Sequence, residues 1–82
     1  MKLPIRNYTE NPLTLFIEPL CEEYFVPPNA EAIVRLEDNY PHSIDVYKSQ
    51  VTIWNEACNE AVVELVSVEQ KKIVEAIQLI QV

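Results

Sequence analysis

The stretch from Leu13 to Pro28, LTLFIEPLCEEYFVPP, constrains the fold more than any other part of the chain. Every second residue of Leu13–Ile17 is Leu or Ile, which is the period-two pattern of a strand with one buried face. Pro19 has no N–H to donate to a neighbouring strand, so this strand should end near Glu18. The stretch therefore predicts a β-hairpin, with a turn after Glu18 and a return strand at Glu23–Val26. The face of Leu13–Ile17 that bears Leu and Ile is the predicted core.

Other segments also alternate at period two, between short polar breaks. The pattern predicts strands at Ala30–Glu37, Ser43–Ser49 and Val51–Trp54, with either a tight turn or a bend joining the last two. A first short strand is expected within Lys2–Thr9, where Pro4 confines it to a sheet edge.

The chain contains no glycine, so its turns must use other residues wherever a positive φ is needed. Asparagine and aspartate are the next most tolerant of that conformation. Asn29 is well placed for it, directly after a pair of prolines. Six asparagines fall between the apolar runs and are predicted to mark turns: Asn7, Asn11, Asn29, Asn39, Asn55 and Asn59.

The C-terminal part mixes strand and helix signals. The β-branched residues of Ala61–Val68 favour a strand, whereas its Ala, Glu and Leu permit a helix, and the sequence leaves both open. Beyond it, three isoleucines recur at helical spacing after a capping-box pattern that begins at Ser67. A helix is therefore predicted over residues 68–80. The isoleucines are Ile73, Ile77 and Ile80.

These segments together predict a mainly β chain that forms a single domain over residues 1–82. Strands joined by short connections favour a small antiparallel β-sandwich or open barrel with a C-terminal helix. The alternative is a two-layer α+β fold with that helix packed on one sheet.

The hairpin also carries a motif, I-E-P-x-x-E-x-Y-x-x-P-P, from Ile17 to Pro28. In this motif the chain resembles small uncharacterised bacterial proteins of about its length, and the likeness extends roughly from Leu13 to Trp54. Those proteins usually carry a glycine where this chain has Asn29, and often a Trp-Gly where it has Leu20-Cys21. The resemblance implies a compact β fold with no established activity, and it assigns no catalytic residue.

Length and hydropathy favour a cytoplasmic protein. No apolar run approaches the roughly 18 residues that a membrane span needs. The first residues, MKLPIRNYTENP, lack the apolar core of a signal peptide. In a reducing compartment, the two cysteines, Cys21 and Cys58, are expected to be free thiols.

Residue types suited to catalysis or metal binding are sparse. His42 is the single histidine, and no glycine-containing nucleophile elbow accompanies it, so we expect a solvent-facing loop histidine. Cys21, Cys58 and His42 lack the spacing of metal ligands. The adjacent acids Glu22 and Glu23 should point to opposite faces of a strand and serve solvation. We therefore expect no enzymatic activity, cofactor or metal.

Negative charge dominates the middle of the chain, within a net charge of −7. Between Glu10 and Glu64 there are eleven acidic residues and two basic ones. Such a surface repels nucleic acid and attracts basic proteins. The leading interpretation is a non-enzymatic, acidic interaction module, inhibitor-like or immunity-like, that binds a basic protein. Charge that only maintains solubility explains the composition equally well, and an enzyme or ligand carrier with an unrecognised site is the alternative.

Aromatic residues opposite the predicted core indicate where a partner would bind. Phe16, Tyr47 and Trp54 fall on the far side of their strands, among acidic residues. Either the C-terminal helix covers them, or they form an open partner site while the helix packs elsewhere or mediates a homodimer. The predicted partner-binding residues are Phe16, Glu18, Glu22, Glu23, Tyr47 and Trp54.

Overall fold

A computed structural model of the chain describes residues 1–67, which form seven β-strands in two sheets and no helix. This confirms the predicted mainly β class, while the helix predicted over 68–80 lies outside the described residues. Within the segment that the sequence left ambiguous at 61–68, residues 62–67 form a strand. The strands are β1 Lys2–Arg6, β2 Leu13–Glu18, β3 Glu22–Val26, β4 Ala30–Arg35, β5 Ser43–Val46, β6 Gln50–Trp54 and β7 Val62–Ser67.

The strands divide into a three-stranded sheet, in the order β1-β4-β7, and a four-stranded sheet, in the order β3-β2-β6-β5. The predicted hairpin of β2 and β3 is confirmed, with Leu13 opposite Val26. The prediction of a wholly antiparallel arrangement is wrong at one pair, because β2 and β6 run parallel. The chain leaves the four-stranded sheet after β3, forms β4 in the other sheet and returns as the β5–β6 hairpin. This excursion brings β6 beside β2 in the same direction.

Both sheets contribute side chains to one hydrophobic core, as in a β-sandwich. The predicted core face of β2 is confirmed, since Leu15 and Ile17 are buried and Leu13 packs against them. β6 supplies Ile53 from the same sheet, and β4 supplies Val34 from the other sheet. The buried apolar residues are Leu15, Ile17, Val26, Ala30, Ala32, Val34, Leu36, Val51, Ile53 and Ala61.

Among residues 1–67, four take a positive φ in place of the glycines that the chain lacks. Asn29 has a φ of 60°, as predicted, and Asn39 has a φ of 69°. The other two are the cysteines, Cys21 at 55° and Cys58 at 54°, which the sequence did not indicate. Glycine is the residue that adopts this conformation without steric cost, and the chain has none.

Two of the predicted turn asparagines, Asn7 and Asn55, are buried, and their side chains brace the turns that they mark. The Asn7 side chain donates to the carbonyl oxygens of Asn11, at 2.8 Å, and Val26, at 2.9 Å. Its Oδ1 accepts from the backbone N–H of Thr9 at 2.9 Å and from the Thr9 hydroxyl at 2.7 Å. Asn55 likewise donates to the carbonyl oxygen of Asn59 at 2.7 Å. The hydrogen bonds of each asparagine hold the loop that follows a strand. They also satisfy the polar side chain, as burial of such a group requires.

Candidate protein-binding surface

The outer side of the four-stranded sheet carries aromatic and acidic side chains in alternation along and across its strands. Because successive strand residues point to opposite faces, Phe16 and Trp54 lie on the side away from the core. The register also places Phe25 and Asp45 on that outer side. We call this surface the acidic-aromatic face, and its residues are Phe16, Glu18, Glu23, Phe25, Asp45 and Trp54.

Cross-strand pairing brings the acids next to the aromatics. Phe16 stands between Glu23 on β3 and Thr52 on β6. Trp54 stands between Glu18 on β2 and a serine on β5. Side chains directly opposite on neighbouring strands are close enough to interact, so each ring here has a polar or acidic neighbour.

Two of the aromatic rings are open to solvent. Phe25 is 60% exposed and Trp54 is 39% exposed, whereas Phe16 is half-buried. The indole N–H of Trp54 donates to Oδ2 of Asp45 at 2.8 Å, which satisfies the polar edge of the ring. An ordered tryptophan with an exposed part of its ring is the kind of residue that anchors protein interfaces.

The two sheets differ sharply in charge. The strands of the four-stranded sheet hold four acids and no Lys or Arg, which gives them a net charge of −4. The strands of the three-stranded sheet hold three bases and two acids, which gives +1. The four acids are Glu18, Glu22, Glu23 and Asp45, the three bases are Lys2, Arg6 and Arg35, and the remaining two acids are Glu31 and Glu64.

Ion pairing increases this asymmetry. On the three-stranded sheet, Nε of Arg6 lies 3.7 Å from Oε2 of the buried Glu31, and Nε of Arg35 lies 3.5 Å from Oε1 of Glu64. Within residues 1–67, no basic group pairs with an acid of the acidic-aromatic face. Within the described residues, Arg6 and Arg35 are thus paired with acids of their own sheet, whereas the acids of this face have no basic partner.

Glu18 also affects a neighbouring thiol. The Sγ atom of Cys21 lies 3.5 Å from Oε2 of Glu18. This hydrogen bond, together with the negative charge of Glu18, raises the pKa of the exposed Cys21 thiol. A thiol with a raised pKa carries less of the reactive thiolate, so this geometry disfavours a nucleophilic role. Both Cys21 and Cys58 are free and exposed.

The structure does not place Glu22 with the other predicted partner-binding residues. Glu22 pairs with Ile17, so it points to the core side of the sheet and is half-buried. Its carboxylate accepts a hydrogen bond from the Tyr24 hydroxyl at 3.0 Å and from the backbone N–H of Ala61 at 3.2 Å. Burial, followed by the hydrogen bond and charge of Glu22, raises the pKa of Tyr24. Glu22 is thus a structural acid rather than the solvating one that we expected.

Tyr47 lies at the margin of the face, one residue beyond the end of β5. Its backbone N–H donates to the carbonyl oxygen of Gln50 at 2.8 Å, which closes the turn between β5 and β6, and its side chain is 58% exposed. The predicted partner-binding residues did not include Phe25 and Asp45, which also lie on the outer side of the sheet. Strand alternation alone places them there, because each is next to a residue of its own strand that points to the core side.

His42 differs from the expected solvent-facing loop histidine, because it is half-buried and both ring nitrogens contact the backbone. Nε2 lies 2.7 Å from the carbonyl oxygen of Glu37, and Nδ1 accepts the N–H of Glu56 at 3.1 Å. The ring therefore ties two loops together. Within residues 1–67, no group of three His, Cys, Asp or Glu residues is placed to hold a metal ion.

A shallow cleft of about 450 Å³ lies at the end of the sheet where β2 begins. It is lined by Thr9, Asn11, Pro12, Leu13, Lys48 and Ser49. The lining contains no carboxylate, thiol or imidazole, so the groups that usually perform acid–base or nucleophilic catalysis do not converge there. Residues 1–67 contain no helix, and so none that is long and apolar enough to cross a membrane.

In comparisons with known proteins, no family model, no curated protein and no solved structure matches the chain.

Proposed function

We propose that the protein is a non-enzymatic interaction module that uses its acidic-aromatic face to bind a positively charged surface of a partner protein. The observation that carries this proposal is the segregation of charge: the strands beneath the face hold acids and no bases, and exposed rings lie among those acids. A protein that masks the basic surface of another, as an inhibitor or immunity protein does, needs such a face.

Electrostatics and ring chemistry favour the same partner. Unpaired carboxylates steer a basic protein toward the face and speed the encounter, and they repel nucleic acid. At contact, an arginine or lysine stacked on the ring of Trp54 or Phe25 is stabilised by cation–π attraction, for which tryptophan is the best ring. Carboxylates of Glu18 and Glu23 beside those rings then accept hydrogen bonds from the same cation.

The competing interpretation is that the acids only maintain solubility. Under that interpretation the position of an acid is immaterial, and only the total charge matters. The two interpretations therefore differ in whether neutralising acids on this face has a greater effect than neutralising the same number elsewhere.

Binding of an arginine-rich test peptide, followed by Trp54 fluorescence and by calorimetry, provides the experiment. The face variant combines Glu18→Gln, Glu23→Gln and Asp45→Asn, the last of which keeps an oxygen to accept the Trp54 N–H. The matched control combines Glu10→Gln, Glu56→Gln and Glu60→Gln, three exposed loop acids, and changes the net charge equally.

We expect the face variant to lose at least about tenfold in affinity, equivalent to 1.4 kcal/mol, and the control to lose much less. Binding by the unmodified protein should also weaken as salt is added. Equal losses in the two variants, or no binding of the arginine-rich peptide by the unmodified protein, would show that the charge serves solubility alone.

A further inference from the structure

The β5 strand is the most exposed edge of the four-stranded sheet. Within residues 1–67 it pairs with β6 alone, and all four of its residues are exposed. Ile44 and Val46 are 43% and 77% exposed although they point to the core side, opposite the buried Ile53 and Val51. Within the part of the chain that the structure describes, the cover of the opposing sheet therefore ends at β6, and the core side of β5 is an open apolar strip.

The register shows which backbone groups of β5 are free to accept another strand. Tyr47 donates to Gln50 across the turn, so this pair is a hydrogen-bonded one. Hydrogen-bonded and non-hydrogen-bonded pairs alternate in an antiparallel ladder, so Asp45 bonds to Thr52 while Ile44 and Val46 do not bond to β6. The N–H and C=O groups of Ile44 and Val46 therefore point away from the sheet.

Two of the other sheet edges within residues 1–67 are protected in ways that β5 is not. Pro4 lies within β1, which also has a charged residue at each end, and β3 begins with two adjacent glutamates. β7, the remaining edge, has one charged residue, Glu64, which forms an ion pair with Arg35. Proline and charge are the usual means of blocking a strand edge from pairing. β5 has a single charged residue, Asp45, and its side chain points to the outer side.

We propose that β5 binds an extended, basic segment of the partner protein as an added strand of the four-stranded sheet. This inference rests on the proposed function for the charge of the partner. An added strand would bond to the free backbone groups of Ile44 and Val46, and its apolar side chains would cover those two residues. Its alternate side chains would lie on the outer side next to Asp45, where basic residues match the charge of the acidic-aromatic face.

A second copy of this chain fits the edge less well. Antiparallel pairing of two β5 strands centred on Asp45 sets two carboxylates directly opposite each other, which is destabilising. Each copy also carries a net charge of −7. Charge complementarity therefore favours a basic partner over self-association.

Amide hydrogen exchange followed by NMR on the full chain tests the mode of binding. The probe is a peptide in which lysine alternates with valine, and its control has the same composition with the lysines and valines in separate blocks. In the free protein, the amides of Ile44 and Val46 should exchange fast and that of Asp45 slowly. With the alternating peptide bound, the first two should become protected, and the block peptide should protect them much less.

Val46→Pro removes one outward N–H without removing a bond to β6, a substitution that edge strands tolerate. Val46→Ala is the matched control, because it trims the side chain and keeps the N–H. We expect affinity for the alternating peptide to fall at least about tenfold in Val46→Pro and by clearly less in Val46→Ala. Equal losses in both variants would overturn the strand-addition mode.

Three further outcomes would overturn the inference. The Ile44 and Val46 amides could be protected already in the free monomer, which would mean that another part of the chain occupies the edge. Sedimentation could show a dimer that Val46→Pro dissociates, which would make a second copy the occupant. The alternating peptide could bind without protecting either amide, and bind more weakly to the acidic-aromatic face variant. In that case the proposed function would stand and strand addition at β5 would be wrong. Conversely, protection of both amides with no effect of the face variant would contradict the proposed function and leave strand addition intact.

Discussion

Replacing Asn7 by aspartate tests whether the buried asparagine braces hold the loops in place. Asn7 is 2% exposed, and its amide uses its full hydrogen-bonding capacity of two donors and two acceptor sites. Asn7→Asp keeps the shape and the acceptors. However, it turns an oxygen toward the carbonyl groups of Asn11 and Val26, which then lose their donor.

The buried carbonyl oxygen of Val26 loses its donor at a cost of about 1–3 kcal/mol, whereas that of Asn11 is partly exposed and lies 2.9 Å from the Thr9 hydroxyl, so Asn7→Asp should destabilise the fold by about 1–3 kcal/mol. A domain of this kind has a total stability of roughly 5–15 kcal/mol. Asn11→Asp is the matched control, because it makes the same chemical change at an exposed side chain. Only the backbone N–H and C=O of Asn11 take part in the hydrogen bonds around Asn7. It should cost less than about 0.5 kcal/mol.

Urea unfolding at neutral pH, followed by far-ultraviolet circular dichroism, measures both variants. In acid, the protonated carboxyl group of the Asn7→Asp variant regains one O–H donor. The difference in free energy of unfolding between the two variants should therefore become smaller. If Asn7→Asp unfolds within about 0.5 kcal/mol of Asn11→Asp at neutral pH, the brace contributes little and the reasoning is wrong.

Three other predictions concern the core, the alkaline limit and the turns. Leu15 is fully buried, so Leu15→Ala should lower the free energy of unfolding by about 2–5 kcal/mol; an unchanged melting temperature would contradict its place in the core. Burial and Glu22 raise the pKa of Tyr24 above its usual value of 10.0. The neutral Tyr24 hydroxyl therefore contributes to the free energy of unfolding below pH 10.0, and this contribution is lost as the pH rises through the folded-state pKa. Thermal unfolding against pH should therefore show an alkaline decline that Tyr24→Phe reduces, and an identical decline in that variant would refute the assignment. Cys21 has a φ of 55°, so Cys21→Gly should be more stable than Cys21→Ala by about 1 kcal/mol in urea unfolding, and the reverse order would contradict that backbone conformation.

Local alternation was enough to predict the hairpin and its core face, because burial of one side of β2 leaves a direct imprint on Leu13–Ile17. No comparable pattern in the sequence indicates the parallel pairing of β2 with β6. It depends on the route of the chain through the other sheet, and no residue in either strand encodes that route. The sequence therefore predicted the strands well and the arrangement between them only in part.

The candidate site shows the same division. Phe16 and Trp54 could be placed on the outer side from period two alone. Glu22 was misplaced because the return strand was predicted to begin at Glu23; with the strand beginning at Glu22, period two sets this residue on the side of Val26. The burial of Asn7 could not be predicted, since it bonds to Val26, nineteen positions away in the sequence.

The pairing pattern also bears on the order in which the chain folds. Among the seven strands of residues 1–67, only the β2–β3 and β5–β6 hairpins join neighbouring segments, whereas β1 pairs with β4, β4 with β7 and β2 with β6 across long stretches of sequence. Long-range pairing pays the entropy of loop closure before its contacts form, which slows folding. A lone hairpin is marginally stable in water, so the first hairpin to leave the ribosome gains a partner strand in its own sheet only when β6 has been made. Until then the apolar face of β2 stays accessible to chaperones and to other nascent chains, and the speed of translation through β4 and β5 sets how long that exposure lasts.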